Sequence, residues 1–153
     1  MTGELKEIVI SKEDAVFWMD ENGRWQNQHG TFEHAKIIDY FHSSIHKDGQ
    51  GYYLAQERDG YSEKVYFRYE DTALFVFDVL VEDDIILVLN TKKRIRLQPE
   101  NLTVEGDGLY THDGEDRIKF AERGLLKIAD LLEEVDGKLF IRVDDKAYRI
   151  REL

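Results

Sequence analysis

The chain has 153 residues, room for one domain or two small subdomains, and at that size about 70% of the surface of the unfolded chain is buried without any covalent staple. It has no cysteine, which removes disulfides, thiolate metal sites and cysteine nucleophiles. Its 21 Lys and Arg against 32 Asp and Glu leave a net charge of −11, which repels nucleic-acid phosphates and anionic lipid, so neither is an expected partner.

The amino-terminal stretch Met1–Ile10 shows no charged-then-apolar leader pattern. The longest apolar runs, Ala73–Phe77 and Ile85–Leu89, fall far short of the roughly 20 residues of a membrane helix. The expectation is a soluble, cytoplasmic protein. Ala15–Met19 and Arg24–Gln28 read as a hairpin, with Asn22-Gly23 suited to a type I′ turn between them. Thr31 reads as the N-cap of a helix whose Ile37, Ile38, Phe41 and Ile45 share one face and which Gly49 and Gly51 end. Tyr52–Gln56 and Lys64–Glu70 form a second hairpin around Arg58-Asp59-Gly60. Val65, Phe67 and Tyr69 alternate there with Lys64, Tyr66 and Arg68, so that strand has one wet face.

Ala73–Val81 and Ile85–Asn90 are nearly continuous apolar runs, the pattern of strands covered on both faces. Further on, Leu125, Ile128, Leu132 and Val135 make a second helical stripe that Gly137 stops. Leu139–Val143 and Ala147–Arg151 close the chain as a hairpin around Asp144-Asp145.

These elements occur twice in the same order. Phe32 aligns with Phe120, and in the same register Ile37-Ile38 falls on Leu125-Leu126, Asp48-Gly49 on Asp136-Gly137 and Tyr52 on Phe140. Upstream, Asn22-Gly23-Arg24-Trp25 answers Asp107-Gly108-Leu109-Tyr110; downstream, Lys64-Val65-Tyr66 answers Lys146-Ala147-Tyr148. The expected fold is α+β: two repeated hairpin–helix–hairpin (β-roll-like) units, 1–72 and 93–153, packed through central antiparallel strands in 73–92.

Tyr52-Tyr53-Leu54, then Glu63-Lys64, then Glu70-Asp71 leading into Leu74-Phe75-Val76-Phe77-Asp78-Val79 resembles the bacterial domain-of-unknown-function 1285 family. The resemblance starts near Asp20-Glu21-Asn22-Gly23-Arg24-Trp25, takes in the helix Phe32–His46 and weakens after about Leu97; the carboxyl-terminal part departs from the family pattern. It implies an α+β fold with two similar structural motifs and brings no established chemistry with it.

Several residue groups are candidates for function. Asp39, His42 and His46 would share one polar helix flank and so form a weak divalent-metal candidate; the same pattern is that of a solvated helix face. His34 lies in register with Ile38, Phe41 and Ile45, where a buried histidine acts as a base or ligand, or is simply hydrogen-bonded in the core. Thr91–Arg96 is the one dense basic run, read either as an anion contact or as a charge-guarded edge strand. The paired carboxylates Asp83-Asp84 and Asp144-Asp145 read as turn residues.

The main ligand-binding candidate is Trp25, Tyr53, Lys64, Tyr66 and Arg68, lining a cleft for a small anionic or aromatic molecule; the alternative is a cross-strand salt-bridge ladder. The sequence leaves the cofactor unknown. Its functional expectation is a non-enzymatic module that binds or senses a small molecule. The alternatives are an enzyme using His34 with Lys64 or a carboxylate in a cleft between the units, and a protein-interaction module, including a homodimer through an exposed hairpin edge.

Overall fold

The computed structural model describes residues 6–153, so the leader reading of Met1–Leu5 lies outside the described residues. The chain divides into two compact units, with the boundary between Ala73 and Leu74. Strands make up most of the structure, alongside two helices, and the fold class is α+β. The apolar runs expected at the centre of the molecule belong to the second unit.

In the first unit the strands are β1 (Lys6–Ile10), β2 (Phe17–Met19), β3 (Trp25–Asn27), β4 (Gly30–Thr31), β5 (Ile45–Asp48), β6 (Gly51–Arg58), β7 (Tyr61–Tyr66) and β8 (Arg68–Tyr69). Helix α1 (Ala35–Ser43) separates β4 from β5. One sheet has the order β4-β3-β2-β8, with β8 parallel to β2; the other is β1-β7-β6-β5, with β1 parallel to β7. The core gathers around Trp25, which is 1% exposed and meets Phe67 at 4.9 Å, Phe41 at 5.4 Å and Phe17 at 5.6 Å, all edge-on.

The turn between β2 and β3 corrects one expectation. Only Gly23 there has a positive φ, whereas a type I′ turn needs two such residues. The Asp20 carboxylate accepts the Asn22 and Arg24 amides at 2.9 Å each, which builds a wider Asp-closed loop.

Helix α1 starts later than the expected Thr31 cap and ends earlier than its apolar spacing suggests. Thr31 lies in β4; the cap is His34, whose Nδ1 accepts the Ile37 amide at 3.4 Å. At the other end the hydroxyls of Ser43 and Ser44 both donate to the Tyr40 carbonyl, at 3.1 and 2.6 Å. That carbonyl would otherwise serve the next turn, so the helix stops. Ile45 then enters β5 opposite Leu54, and the Ser44 carbonyl receives the Ala55 amide at 3.0 Å.

The second unit contains β9 (Leu74–Val81), β10 (Ile85–Leu89), β11 (Arg94–Arg96), β12 (Thr103–Glu105), β13 (Gly108–Asp113), β14 (Asp116–Phe120), β15 (Leu132–Val135), β16 (Lys138–Val143), β17 (Lys146–Arg149) and β18 (Arg151–Glu152). Helix α2 (Glu122–Ile128) follows β14, and short 3₁₀ turns occupy Pro99–Asn101 and Ala129–Leu131. The large sheet runs β11-β10-β9-β14-β13-β12-β18, with β9 parallel to β14 and β18 parallel to β12. A separate antiparallel sheet has the order β15-β16-β17. The expected helical stripe is again cut short: Leu132 and Val135 lie on β15, opposite Ile141 and Lys138.

Strand β9 opens with three buried residues in succession, Leu74, Phe75 and Val76, so both its faces are covered there; β10 buries alternate residues. Asn90 closes the β9–β10 hairpin: its side-chain oxygen accepts the Phe75 amide at 3.0 Å and its own amide donates to the Phe75 carbonyl at 2.9 Å. Both polar partners are buried, and each satisfies the other. The basic run ends in β11, at the edge of this sheet, where Lys93 pairs with Asp113 and Arg96 with Asp84, both at 3.2 Å.

Helix α2 lies on β9 at the closest approach a backbone allows. A Cβ on Gly124 would press into the Val76 carbonyl oxygen, which also accepts the Ala121 amide at 3.0 Å. Arg123 and Lys127 reach from the same helix to Asp78, at 3.6 and 3.2 Å. Gly124→Ala therefore destabilises the protein even though alanine is the better helix former, by about 1–3 kcal/mol of overpacking. Thermal unfolding checks this: a lowered midpoint is expected, and an unchanged or raised one contradicts the contact.

Candidate functional site

The first candidate lies on one face of the β5–β6–β7 sheet. Strand register puts His46 opposite Tyr53 and Tyr53 opposite Tyr66, with Lys64 two residues before Tyr66 on the same face. His46 stacks on Tyr53 at 5.8 Å, and the rings of Tyr53 and Tyr66 lie 5.3 Å apart. The Lys64 ammonium sits 5.0 Å over the Tyr53 ring, 3.7 Å from Asp48 and 3.6 Å from Glu7. The Tyr66 hydroxyl donates to the Asp48 carboxylate at 2.5 Å.

Three of the five expected ligand-binding residues, Tyr53, Lys64 and Tyr66, are thus neighbours. The other two lie elsewhere. Trp25 is in the aromatic core of the first unit. Arg68 does not share the strand face of Lys64 and Tyr66: β7 ends at Tyr66, and Arg68 lies in β8, paired with Trp18 of β2. The alternation from Lys64 to Glu70 is real in sequence, but the chain changes sheets at Phe67. Lys64, Asp48, Glu7 and the Tyr66 hydroxyl on this face are already engaged with one another, the pattern of a cross-strand ladder.

The histidine candidates separate as well. Because α1 stops at Ser43, His46 is on a strand, exposed and stacked on Tyr53, while His42 is buried beside Trp25 at 5.7 Å. The single helix flank that would have joined Asp39, His42 and His46 does not exist, and no metal-holding group of carboxylates and histidines occurs among the described residues. His34 is exposed at the start of α1 and is no core histidine.

The second candidate is a cleft of about 310 Å³ in the second unit. Its walls come from the β9–β10 turn, the β11 end with the Pro99–Asn101 turn, and the β16–β17 hairpin. Apolar wall is supplied by Ile85, Leu97, Pro99 and Val143, with Tyr148 beside them. Five acidic residues line it (Glu82, Asp83, Asp84, Glu100 and Asp144) against two arginines. Both guanidiniums are engaged: Arg96 with Asp84 at 3.2 Å, and Arg142 in a two-point contact with Glu133 at 3.1 and 3.3 Å. Glu82, Asp83, Glu100 and Asp144 have no cation partner among the described residues.

The turns themselves bring these carboxylates to the cleft. Asp144 and Asp145 both have positive φ, 52° and 63°, the signature of a two-residue type I′ hairpin. Sequence reasoning recognised Asp83-Asp84 and Asp144-Asp145 as turn residues and missed that the two tips line one cavity. No local pattern carries that information, because the tips are far apart in the chain.

The Asp48–Tyr66 pair has a measurable signature. The hydrogen bond to Asp48, then burial, push the Tyr66 hydroxyl up from 10.0 to about 12; the same bond, with the Gln50 amide and Lys64, holds Asp48 below the usual carboxylate range. The Tyr66 contribution to stability is complete below pH 10.0 and is lost as pH rises toward about 12. That of Asp48 is present above its ordinary value of 3.8 and is lost as pH falls through its lowered folded value. In an ultraviolet titration the Tyr66 hydroxyl is expected to contribute a late component, and Tyr66→Phe removes it. An alkaline limb unchanged in Tyr66→Phe contradicts the pairing.

No family model matches the sequence, and no curated protein matches it. Among solved structures, a DUF1285 family protein from Silicibacter pomeroyi DSS-3 matches with a TM-score of 0.62 at 14% identity, over 95% of this chain and 84% of that one. A second, from Shewanella baltica OS155, matches with a TM-score of 0.48 at 16% identity, over 70% of this chain and 84% of that one. No described helix is long and apolar enough to cross a membrane. The likeness to the Silicibacter protein covers nearly the whole chain, the carboxyl-terminal part included, and at this identity it concerns the fold: the chain resembles a DUF1285 family protein in structure.

Proposed function

We propose that this protein is a binding module for a small organic cation, held in the cleft of the second unit. The observation that carries the reading is an excess of negative charge with no internal use. Four carboxylates line a bounded cavity without a cation, while both arginines beside them are already engaged. A protonated amine with a short apolar body satisfies both features. Its ammonium would meet Glu82, Asp83, Glu100 or Asp144, and its body the Leu97, Pro99 and Tyr148 wall. This reading replaces the anionic or aromatic ligand expected at Lys64 with a cationic one in the other unit.

We also propose that the two units descend from one duplicated segment. The series β2-β3-β4-α1-β5-β6-β7-β8 has the same order and pairing as β12-β13-β14-α2-β15-β16-β17-β18. The agreement extends to the last strand, which returns in parallel to the first in both cases. This correspondence supports the repeat read from the sequence.

A thermal-shift series with spermidine, phenethylamine and a tetraalkylammonium salt tests the cation reading. At about 100 times its dissociation constant a ligand adds about 2.7 kcal/mol, or about 5–11 °C for a chain of this length. The shift is expected with an amine, is reduced by salt, and is lost in the double variant Glu100→Gln, Asp144→Asn. No shift with any amine, or a full shift in the double variant, overturns it.

A further inference from the structure

Strand β17 is the last of its three-stranded sheet, and its position within the second unit is that of β7 within the first. The two strands are finished differently. The outer edge of β7 is covered by β1, which runs parallel to it over five residue pairs, from Lys6 opposite Tyr61 to Ile10 opposite Val65. No strand pairs with the outer edge of β17 among the described residues.

The hairpin geometry says which groups that edge presents. Asp144-Asp145 is a two-residue loop, so the closing pair Val143 and Lys146 exchange hydrogen bonds across the ladder. Alternate residues do the same, which puts Tyr148 opposite Ile141 in a bonded pair and agrees with the Ile150 amide donating to the Leu139 carbonyl at 2.9 Å. The amides and carbonyls of Ala147 and Arg149 therefore point away from β16, and both residues are exposed. The same count on β7, from the Asp59-Gly60 turn, turns Ser62 and Lys64 outward, and these are opposite Glu7 and Val9 of β1.

We propose that the open edge of β17 accepts an extended, basic segment of a partner protein by strand addition. The backbone of β17 supplies the affinity in this mode, and side-chain surroundings supply the choice of partner. Here the surroundings are acidic. Asp144 and Tyr148 of this hairpin line the cleft, and across it lie Glu82, Asp83 and Glu100. The Pro99–Asn101 turn lies against β17 itself, so the cleft runs beside the strand. A strand on this edge with Lys or Arg at alternate positions would direct those side chains toward the unpartnered carboxylates. The preference for a basic partner rests on the cleft being a cation site; the open edge does not.

The test is fluorescence anisotropy of a labelled, end-capped peptide alternating valine and lysine, titrated with the full chain. Saturable binding is expected. Ala147→Pro deletes one outward amide and leaves the β16 ladder intact, a placement that an edge strand tolerates. It is expected to weaken the peptide at least about tenfold, the order of one lost hydrogen bond in a short ladder, and to leave the amine-induced thermal shift as in the wild type. Wild-type affinity in Ala147→Pro, or no binding by the wild-type chain, overturns the proposal. Amide exchange on the unsubstituted protein gives an independent reading. The Ala147 and Arg149 amides are expected to slow when peptide is added, and unchanged exchange in the bound state overturns strand addition. Peptide binding lost in Ala147→Pro while no amine shifts the wild type would uphold the edge and reject the cation cleft.

Discussion

The Tyr40 carbonyl receives two hydroxyls, from Ser43 and Ser44, where a longer helix would have received an amide. Much of the first unit depends on that substitution. It ends α1 and releases Ile45 into β5. The β5–β6–β7 sheet can then form, with His46 and Asp48 beside Tyr53 and Tyr66. In the second unit the corresponding step is a 3₁₀ turn at Ala129–Leu131 that passes the chain from α2 into β15. Both helices are short, so their stability comes from the faces they bury and not from their length.

The two units spend their charge in different ways. On the first, Lys64 stands between Glu7 and Asp48 and over Tyr53, while Tyr66 donates to Asp48, so every group faces its complement. On the second, Arg96 and Arg142 are held by carboxylates, and four further acidic residues line the cleft without a cation partner among the described residues. Like charges gathered in a concave surface raise the local potential, and a cation relieves it. The turn chemistry that favours aspartate at hairpin tips also brings Asp83 and Asp144 to the cleft. One local preference serves folding and supplies part of the candidate site.

Much of the strand content was legible locally. The alternation in Lys64–Tyr66, the aspartate and glycine turns at Asp59-Gly60, Asp136-Gly137 and Asp144-Asp145, and the apolar runs that became β9 and β10 all form the elements their patterns suggest. Helix ends were the weak point. Ile45, Leu132 and Val135 keep a helical spacing with the residues before them, yet they lie on strands, because β-branched and leucine side chains suit a buried strand face equally well. The misplaced metal candidate followed from that error: His42 and His46 are four residues apart, but a helix end stands between them.

The sequence by itself determined the class of elements, their order, the positions of most turns and the absence of thiol chemistry, since each depends on residues near one another in the chain or on composition alone. Tertiary structure alone decided which strands are neighbours, that Arg68 leaves the sheet of Lys64, that Trp25 is core, and that the tips at Asp83-Asp84 and Asp144-Asp145 line one cavity. The physical reason is the range of the interactions. Turns and periodicity are set by neighbouring backbone and side chains, whereas strand pairing and the convergence of charges from distant loops depend on how the whole unit packs.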